Sequence, residues 1–249
     1  MTGTIQADIV VVGGGPAGLS AATELARRGA GKVVLLERDG VVGGIPRQCG
    51  HSPFGMREFR RILTGSTYVQ RLEREAVAAG VEIHTRTSVL GIDAGTVSAA
   101  TPDGFVTFAA RRVVLATGNR EKPRAQRLVG GERPLGILNT GALQHYVYGE
   151  KLAPFRRPVI VGTELVAMSA ILTCRSAGIR PVAVIEARPK PTVRFPFHLL
   201  PKVLGIPVHY ATEILGIHGK ERVEEVSIAV SGEKRVLACD GVLFTGDFT

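Results

Sequence analysis

Apolar residues along the chain fall into a few continuous runs separated by helix-like stretches. Residues 9–12, 33–36 and 113–116 are unbroken apolar runs bounded by glycine or charge. Such runs read as parallel strands covered on both faces. Between the first two, PAGLSAATELARRG brings Leu19, Ala22 and Leu25 onto one helical face. The predicted order is therefore strand, helix, strand, with a glycine-rich turn after the first strand.

That turn carries Gly13, Gly15 and Gly18 in the spacing G-x-G-x-x-G. The first glycine permits a tight turn and the second lets a pyrophosphate approach the backbone. The third lets the helix, opening at Pro16 and Ala17, pack closely on the strand. The helix start points its amides at the phosphates. Glu37 ends the second strand, placed to accept hydrogen bonds from a ribose diol. A glycine turn alone is weak evidence, but strand, turn, helix, strand and acid occur here in order. They predict a dinucleotide site, and by themselves leave NAD and FAD both open.

The pattern then repeats. GVEIHTRTSVLGI (80–92) aligns without gaps on GIPVHYATEILGI (205–217), VVLATGN (113–119) meets GVLFTGD (241–247), and IVVVGGGPAG (9–18) meets PVIVGTELVA (158–167). Each copy reads strand, helix, strand, connection, third strand, short meander and a last strand ending in Thr-Gly. The expected fold is α/β: two tandem Rossmann-like dinucleotide-binding domains of three layers, residues 1–120 and 121–249. In the second copy Gly162 keeps the turn and Ala167 replaces the third glycine, but Glu164 stands where backbone should meet pyrophosphate. Like charges at contact in a partly desolvated site cost at least ~2 kcal/mol. The frame of an NAD(P) site is kept and ordinary NAD(P) binding is expected to be lost, although Glu186 still ends the second strand of this copy.

Composition narrows the partners. The charge is 31 − 22 = +9, but the basic residues are scattered doublets such as Arg60–Arg61 and Arg156–Arg157, with no interleaved aromatic residues. That is a solvated surface rather than a nucleic-acid footprint. No apolar run approaches the roughly twenty residues of a membrane-spanning helix. The opening MTGTIQ runs into the first strand without a basic stretch, so no secretory leader is expected. Cys49, Cys174 and Cys239 are far apart, with neither metal-ligand nor disulfide spacing, which suits a reducing cytoplasm and predicts no metal site. Cys49 lacks the second sulfur that dithiol chemistry needs. ARPKPTVRFPFHLLPK (187–202), rich in proline and basic residues, reads as an irregular crossover or as a contact for a partner or the inner face of a membrane.

The glycine loop with its acid, the pair Gly43–Gly44 after it and the strand ending in Thr117–Gly118 together resemble the FAD/NAD(P) flavoproteins with two dinucleotide-binding domains, the glutathione-reductase-like superfamily. GGIPRQCGHSPFGMREF, RPLGILNTGALQHYVYG and PVIVGTELVAMSAILTCRSAGI are similar, more narrowly, to α-type subunits of opine oxidase, dye-linked proline dehydrogenase and hydrogen cyanide synthase. The resemblance implies that the first domain binds FAD through Gly13, Gly15, Pro16, Ala17, Gly18, Glu37, Arg38, Gly43, Gly44, Arg47, Thr117 and Gly118. It implies an FAD-dependent oxidoreductase acting on a small molecule beside a second flavin-containing subunit, with an NAD(P)H-dependent flavin reductase or a non-catalytic scaffold as alternatives. Arg47 and His51 are candidates to lie near the flavin ring; no catalytic residue is identified. In that superfamily the FAD domain is completed by a later returning segment. Gly246–Asp247 aligns with Thr117–Gly118 instead, so the chain is expected to be part of a longer protein, or completed by another chain, with an unpaired strand edge in its first domain.

Overall fold

The computed structural model describes residues 3–230 and 232–249; Met1 and Thr2, which open the stretch read for a leader, and Ser231 lie outside it. The chain divides into two compact units, Met1–Gly118 and Asn119–Thr249.

The first unit begins with β1 (Thr4–Val12), α1 (Pro16–Arg27) and β2 (Val33–Leu36). Short helices α2 (Gly44–Arg47) and α3 (Met56–Phe59) lead to α4 (Gly65–Ala78). Strands β3 (Glu82–His84), β4 (Ser88–Asp93), β5 (Thr96–Thr101) and β6 (Gly104–Leu115) complete it. They form one sheet in the order β3-β2-β1-β6-β5-β4. β3, β2, β1 and β6 pair in parallel, whereas β6, β5 and β4 form the antiparallel meander.

Alternation along β1 and β2 divides the interior into two cores. Ile9, Val11, Val33 and Leu35 face the helical layer, with Leu19 and Ala22 of α1 and Val69, Leu72 and Ala76 of α4. Val10, Val12, Val34 and Leu36 face the opposite way, against Val97, Ala99 and Phe108 of the meander. Side chains of a strand point alternately to its two sides. A strand apolar at every position therefore needs cover on both, here a helical layer and a β layer. This is the expected three-layer arrangement.

The second unit repeats it. β7 (Gly130–Gly131), β8 (Ile137–Asn139) and α5 (Thr140–Gln144) come first. Then follow β9 (Pro158–Val161), α6 (Leu165–Ser176), β10 (Ala183–Ile185), α7 (Leu200–Val203), β11 (Val208–His209), β12 (Thr212–His218), β13 (Glu225–Val230), β14 (Glu233–Ala238) and β15 (Gly241–Phe244). A parallel sheet in the order β11-β10-β9-β15-β8 is separate from the sheet β14-β13-β12-β7. Ile160, Val184 and Leu243 pack on α6, and Val159, Ile185, Val242 and Phe244 pack on the meander.

The internal repeat holds in the backbone pairing. Glu37 N–H donates to His84 O at 2.8 Å, and Glu186 N–H to His209 O at 2.9 Å. Thr87 N–H returns to Glu37 O at 2.8 Å, and Thr212 N–H to Glu186 O at 2.9 Å. His84 and His209 thus sit at matching strand positions. His84 also bonds Glu82 Oε1 at 2.7 Å and packs edge-on against Phe108.

The last strand of the first copy departs from the sequence reading. Residues 113–116 were expected to be a buried strand, but Val113 and Val114 are half-buried and Leu115 is 64% exposed. They are the end of the longer β6. β1 pairs along this strand as far as Leu115, while β5 pairs only with its Gly104–Ala109 part. The far edge of residues 113–115 therefore carries no strand among the described residues. Its counterpart β15 is flanked by β8. An apolar run signals burial only where something covers it, and here cover and pairing stop short.

The closest approach in the first unit lies between α1 and its loop. A Cβ on Gly18 would fall on the Gly13 carbonyl oxygen, while one on Gly15 would meet open space. Gly18→Ala is expected to lower stability by roughly 2–4 kcal/mol through overpacking, and Gly15→Ala by less than about 1 kcal/mol. Urea denaturation of the two variants checks this; equal losses would contradict the packing described.

Candidate cofactor-binding site

β1 ends at Gly13, whose N–H donates to Leu36 O at 2.8 Å and whose φ of 107° turns the chain into the loop. Gly15 then caps α1 with φ −73° and ψ 179°, and no side chain caps that helix. The first-turn amides of such a helix lack partners within it and suit an anion. Gly15 and Pro16 are half-buried and Ala17 is exposed, so the loop is open on its outer side. Room at Gly15 for a group that a side chain would displace is the observation that fits a pyrophosphate.

Glu37 does more than the sequence suggested. Its Oε2 accepts the Gly14 N–H at 2.8 Å and its Oε1 the Asp39 N–H at 2.9 Å. The carboxylate clasps the loop to the end of β2 and remains half-buried beside it. Gly14 was missed by the motif, which leaves that position free. A Cβ there would stand 2.9 Å from Glu37 Oε2 and 2.8 Å from Val42. The extra glycine in the middle of GGG was its only trace in the sequence.

The structure gathers most other predicted residues around this loop. Gly43 N–H donates to Gly14 O at 2.7 Å, and a Cβ on Gly44 would stand 3.1 Å from the Gly15 Cα. Arg38 is exposed beside Asp39. Arg47 is held by this segment itself, donating to Val41 O at 2.8 Å and to Asp39 Oδ2 at 3.0 Å. Thr117 and Gly118 lie exposed just beyond β6, after Ala116, whose carbonyl sits against Gly13. His51 lies against Phe54, and the buried Cys49 thiol approaches Ile45 O at 3.6 Å. Cys174 and Cys239 are free and buried, and burial pushes their thiols up to about 12 and about 11. Raised and buried, Cys174 and Cys239 are not activated thiolates, and Cys49 is buried as well.

The second loop has the same backbone and different chemistry. Glu164 caps α6 with φ −75° and ψ 178°, within two degrees of Gly15 at each angle. Glu186, 8% exposed, repeats the clasp: it accepts the Thr163 hydroxyl and, at 3.0 Å, the Arg188 N–H. Thr192 N–H donates to Thr163 Oγ1 at 3.1 Å, and Val193 N–H to Thr163 O at 3.1 Å. The Glu164 carboxylate lies over Gly162 and Gly246, where a Cβ would stand 2.6 Å from Oε2 and 2.7 Å from Oε1 respectively. It makes no hydrogen bond to the α6 N-terminal amides, so the loop carries a carboxylate beside it rather than a side-chain cap.

A second carboxylate faces this one. Glu121 Oε2 accepts the Gly141 N–H at 2.8 Å, and Arg127 reaches the Thr245 and Gly246 carbonyls nearby. Burial holds the Glu121 carboxyl above its ordinary value of 4.5, and the Glu164 charge adds a smaller rise, against the opposing effects of the Gly141 N–H, the nearby Thr140 hydroxyl and Arg127. Glu121 Oε1, Glu164 Oε1 and Thr140 Oγ1 are buried without a hydrogen-bond partner among the described residues. Glu121 lies 43 residues before Glu164 and carried no sequence signal. A carboxyl whose folded value is raised binds more protons folded than unfolded, so its presence costs stability as pH rises from its unfolded value toward the folded one. The stability of Glu121→Gln relative to the unmodified protein should therefore increase as pH rises from about 4.5 and then level off. Urea denaturation across pH tests this, and a pH-independent difference would refute it.

The comparisons with known proteins agree with this architecture. A family model described as pyridine nucleotide-disulphide oxidoreductase matches residues 7–246. An opine oxidase subunit of Rhizobium meliloti (strain 1021) is 30% identical over 182 residues, 72% of this chain and 38% of that one. The hydrogen cyanide synthase subunit HcnB of Pseudomonas aeruginosa is 26% identical, over 90% of this chain and 52% of that one. The chain thus spans about half or less of the length of these relatives. The crystal structure of T. acidophilum thioredoxin reductase superposes with a TM-score of 0.76 at 23% identity, over 98% of this chain and 77% of that one, a likeness of fold. Both the superfamily and the nearness to opine oxidase and hydrogen cyanide synthase subunits expected from the sequence are borne out. The chain belongs to the pyridine nucleotide-disulphide oxidoreductase family.

Proposed function

We propose that this chain is the FAD-binding, electron-transferring subunit of a larger FAD-dependent oxidoreductase in the cytoplasm. The single observation that carries the reading is the contrast between the two loops. The first has room at Gly15 and a carboxylate beside it. The second has the same backbone angles with the Glu164 side chain in place of that room, its carboxylate lying against Gly162 and Gly246. One dinucleotide site is kept and the other is closed by charge.

In this reading Gly13, Gly15, Pro16, Ala17 and Gly18 hold the pyrophosphate, and Glu37 with Arg38 borders the adenosine ribose. Gly43, Gly44, Arg47, Thr117 and Gly118 line the rest of the extended cofactor. Bound FAD supplies hydride or electron transfer through its isoalloxazine. The chain's own groups supply position: backbone N–H groups on the phosphates and a carboxylate on the ribose. Arg47 acts by bracing the Asp39–Val41 segment that carries the glycine pair.

Two relatives, from opine oxidase and from hydrogen cyanide synthase, bear the word subunit in their names. Together with the closed second loop, this supports a partner subunit, itself flavin-containing, that oxidises a small amine-like substrate and delivers the electrons. The alternative of an NAD(P)H-dependent reductase is favoured by one feature, the intact Glu186 clasp.

Replacing Gly15 by Val should leave the fold intact, because its Cβ meets open space, and abolish flavin retention. Visible absorbance of the purified protein, with circular dichroism as the folding control, decides the matter; a folded and equally yellow variant would refute the site. NADH and NADPH should not bind the second unit at micromolar concentration, and Glu164→Gly should raise their affinity at least about tenfold. Titration calorimetry reads both, and micromolar binding by the unmodified protein would revive the reductase alternative.

A further inference from the structure

Between Glu186 and Glu213 the chain contains no acidic residue, while Arg188, Lys190, Arg194 and Lys202 fall within that span. All four are exposed. None of their side chains forms an ion pair or hydrogen bond among the described residues. Four unpaired cations on one short segment are not the mixed-sign surface of an ordinary solvated face.

The same segment divides its apolar residues between two sides. Val193, Leu200 and Leu204 pack into the core beside α6, and Thr192 and Val193 are tied by backbone N–H groups to Thr163. The segment is therefore anchored to the unit. Phe195 and Val203 are left 76% and 78% exposed, with Phe197 at 50% and Leu199 at 39%. Phe195 lies beside His198, with ring centroids 6.1 Å apart. These exposed apolar side chains are not the outer edge of the core, since neighbouring residues already supply the inward set.

We propose that residues 188–203 form a peripheral docking surface for an anionic lipid bilayer, with Phe195, Phe197 and Val203 entering the interface and Arg188, Lys190, Arg194 and Lys202 meeting the headgroups. Aromatic and aliphatic side chains at the acyl boundary, flanked by cations, are the arrangement by which proteins lie on a membrane without crossing it. A bilayer is fluid and needs no matching shape. A protein partner would need a fitted surface with paired polar groups, whereas the segment offers unpaired cations and projecting rings. Free phosphate or a nucleotide would use the cations but leave Phe195, Phe197 and Val203 without a role. The inference does not depend on the flavin reading, because the segment belongs to the second unit and its test needs no cofactor.

The test uses the full chain and flotation with phosphatidylcholine vesicles, with and without roughly 30% phosphatidylglycerol. Binding is expected to the anionic vesicles alone and to fall with added salt. Arg194→Glu with Lys202→Glu should lower partitioning at least about twenty-fivefold, about fivefold for each cation removed. Phe195→Ser with Phe197→Ser should lower it about tenfold at unchanged charge. All four positions are exposed, and thermal melting confirms that the variants fold. Failure of the unmodified chain to float with anionic vesicles overturns the proposal. So does flotation unaffected by the Phe pair, which would mark a purely electrostatic patch for an acidic protein or a soluble anion.

Discussion

In each half of the molecule a carboxylate at the end of the second strand ties together three pieces of chain. Glu37 accepts one N–H from the glycine loop and one from Asp39, two residues along; Glu186 accepts the Thr163 hydroxyl and the Arg188 N–H. Hydrogen bonds to charged groups contribute roughly 1.5–3 kcal/mol each, and leaving a buried charge unpaired costs more. The clasp therefore sets the shape of the loop between first strand and first helix. That shape decides where the helix amides point and what can approach them. A carboxylate that the motif assigns to ligand recognition is also a structural tie, and the two roles are compatible because each oxygen retains a second lone pair.

Given that common scaffold, the two halves differ in the residue at the helix N-cap, Gly15 or Glu164. The first leaves space above Gly15. The second carries the Glu164 side chain at the same position without altering the backbone angles, and its carboxylate lies against Gly162 and Gly246. The arrangement has a consequence for its surroundings. Glu164 lies near a second carboxylate, Glu121, and the three buried side-chain oxygens without partners among the described residues are on Glu121, Glu164 and Thr140. The Glu121 carboxyl is raised first by its own burial, and the Glu164 charge adds a smaller push in the same direction.

The halves also differ in how the meander joins the parallel sheet. In the first, β6 runs unbroken from the meander into the parallel sheet. In the second, the chain breaks at residues 239–240 and β14 and β15 belong to separate sheets. β15 then gains β8 on its far side, whereas the corresponding edge of β6 carries no strand among the described residues. One repeated pattern thus accommodates two edge structures, because pairing at a sheet edge depends on which other segments are at hand.

The order of elements, the glycine loop, the acids at residues 37 and 186, the repeat and the two-layer burial of the central strands were all legible in the sequence. They arise from short-range constraints: side-chain periodicity, tight turns that need glycine, and a helix start that follows within a few residues. Even the substitution at Glu164 was visible, since the repeat supplies its alignment with Gly15. Tertiary structure alone decided that Glu37 clasps Gly14, that Arg47 is tied to Asp39 and Val41, that Glu121 comes up to Glu164, and that residues 113–115 lie partly uncovered. It also decided which apolar residues of 188–203 turn inward. Each of these depends on contacts or gaps between side chains brought together by the whole fold, and such contacts leave no periodic trace along the chain.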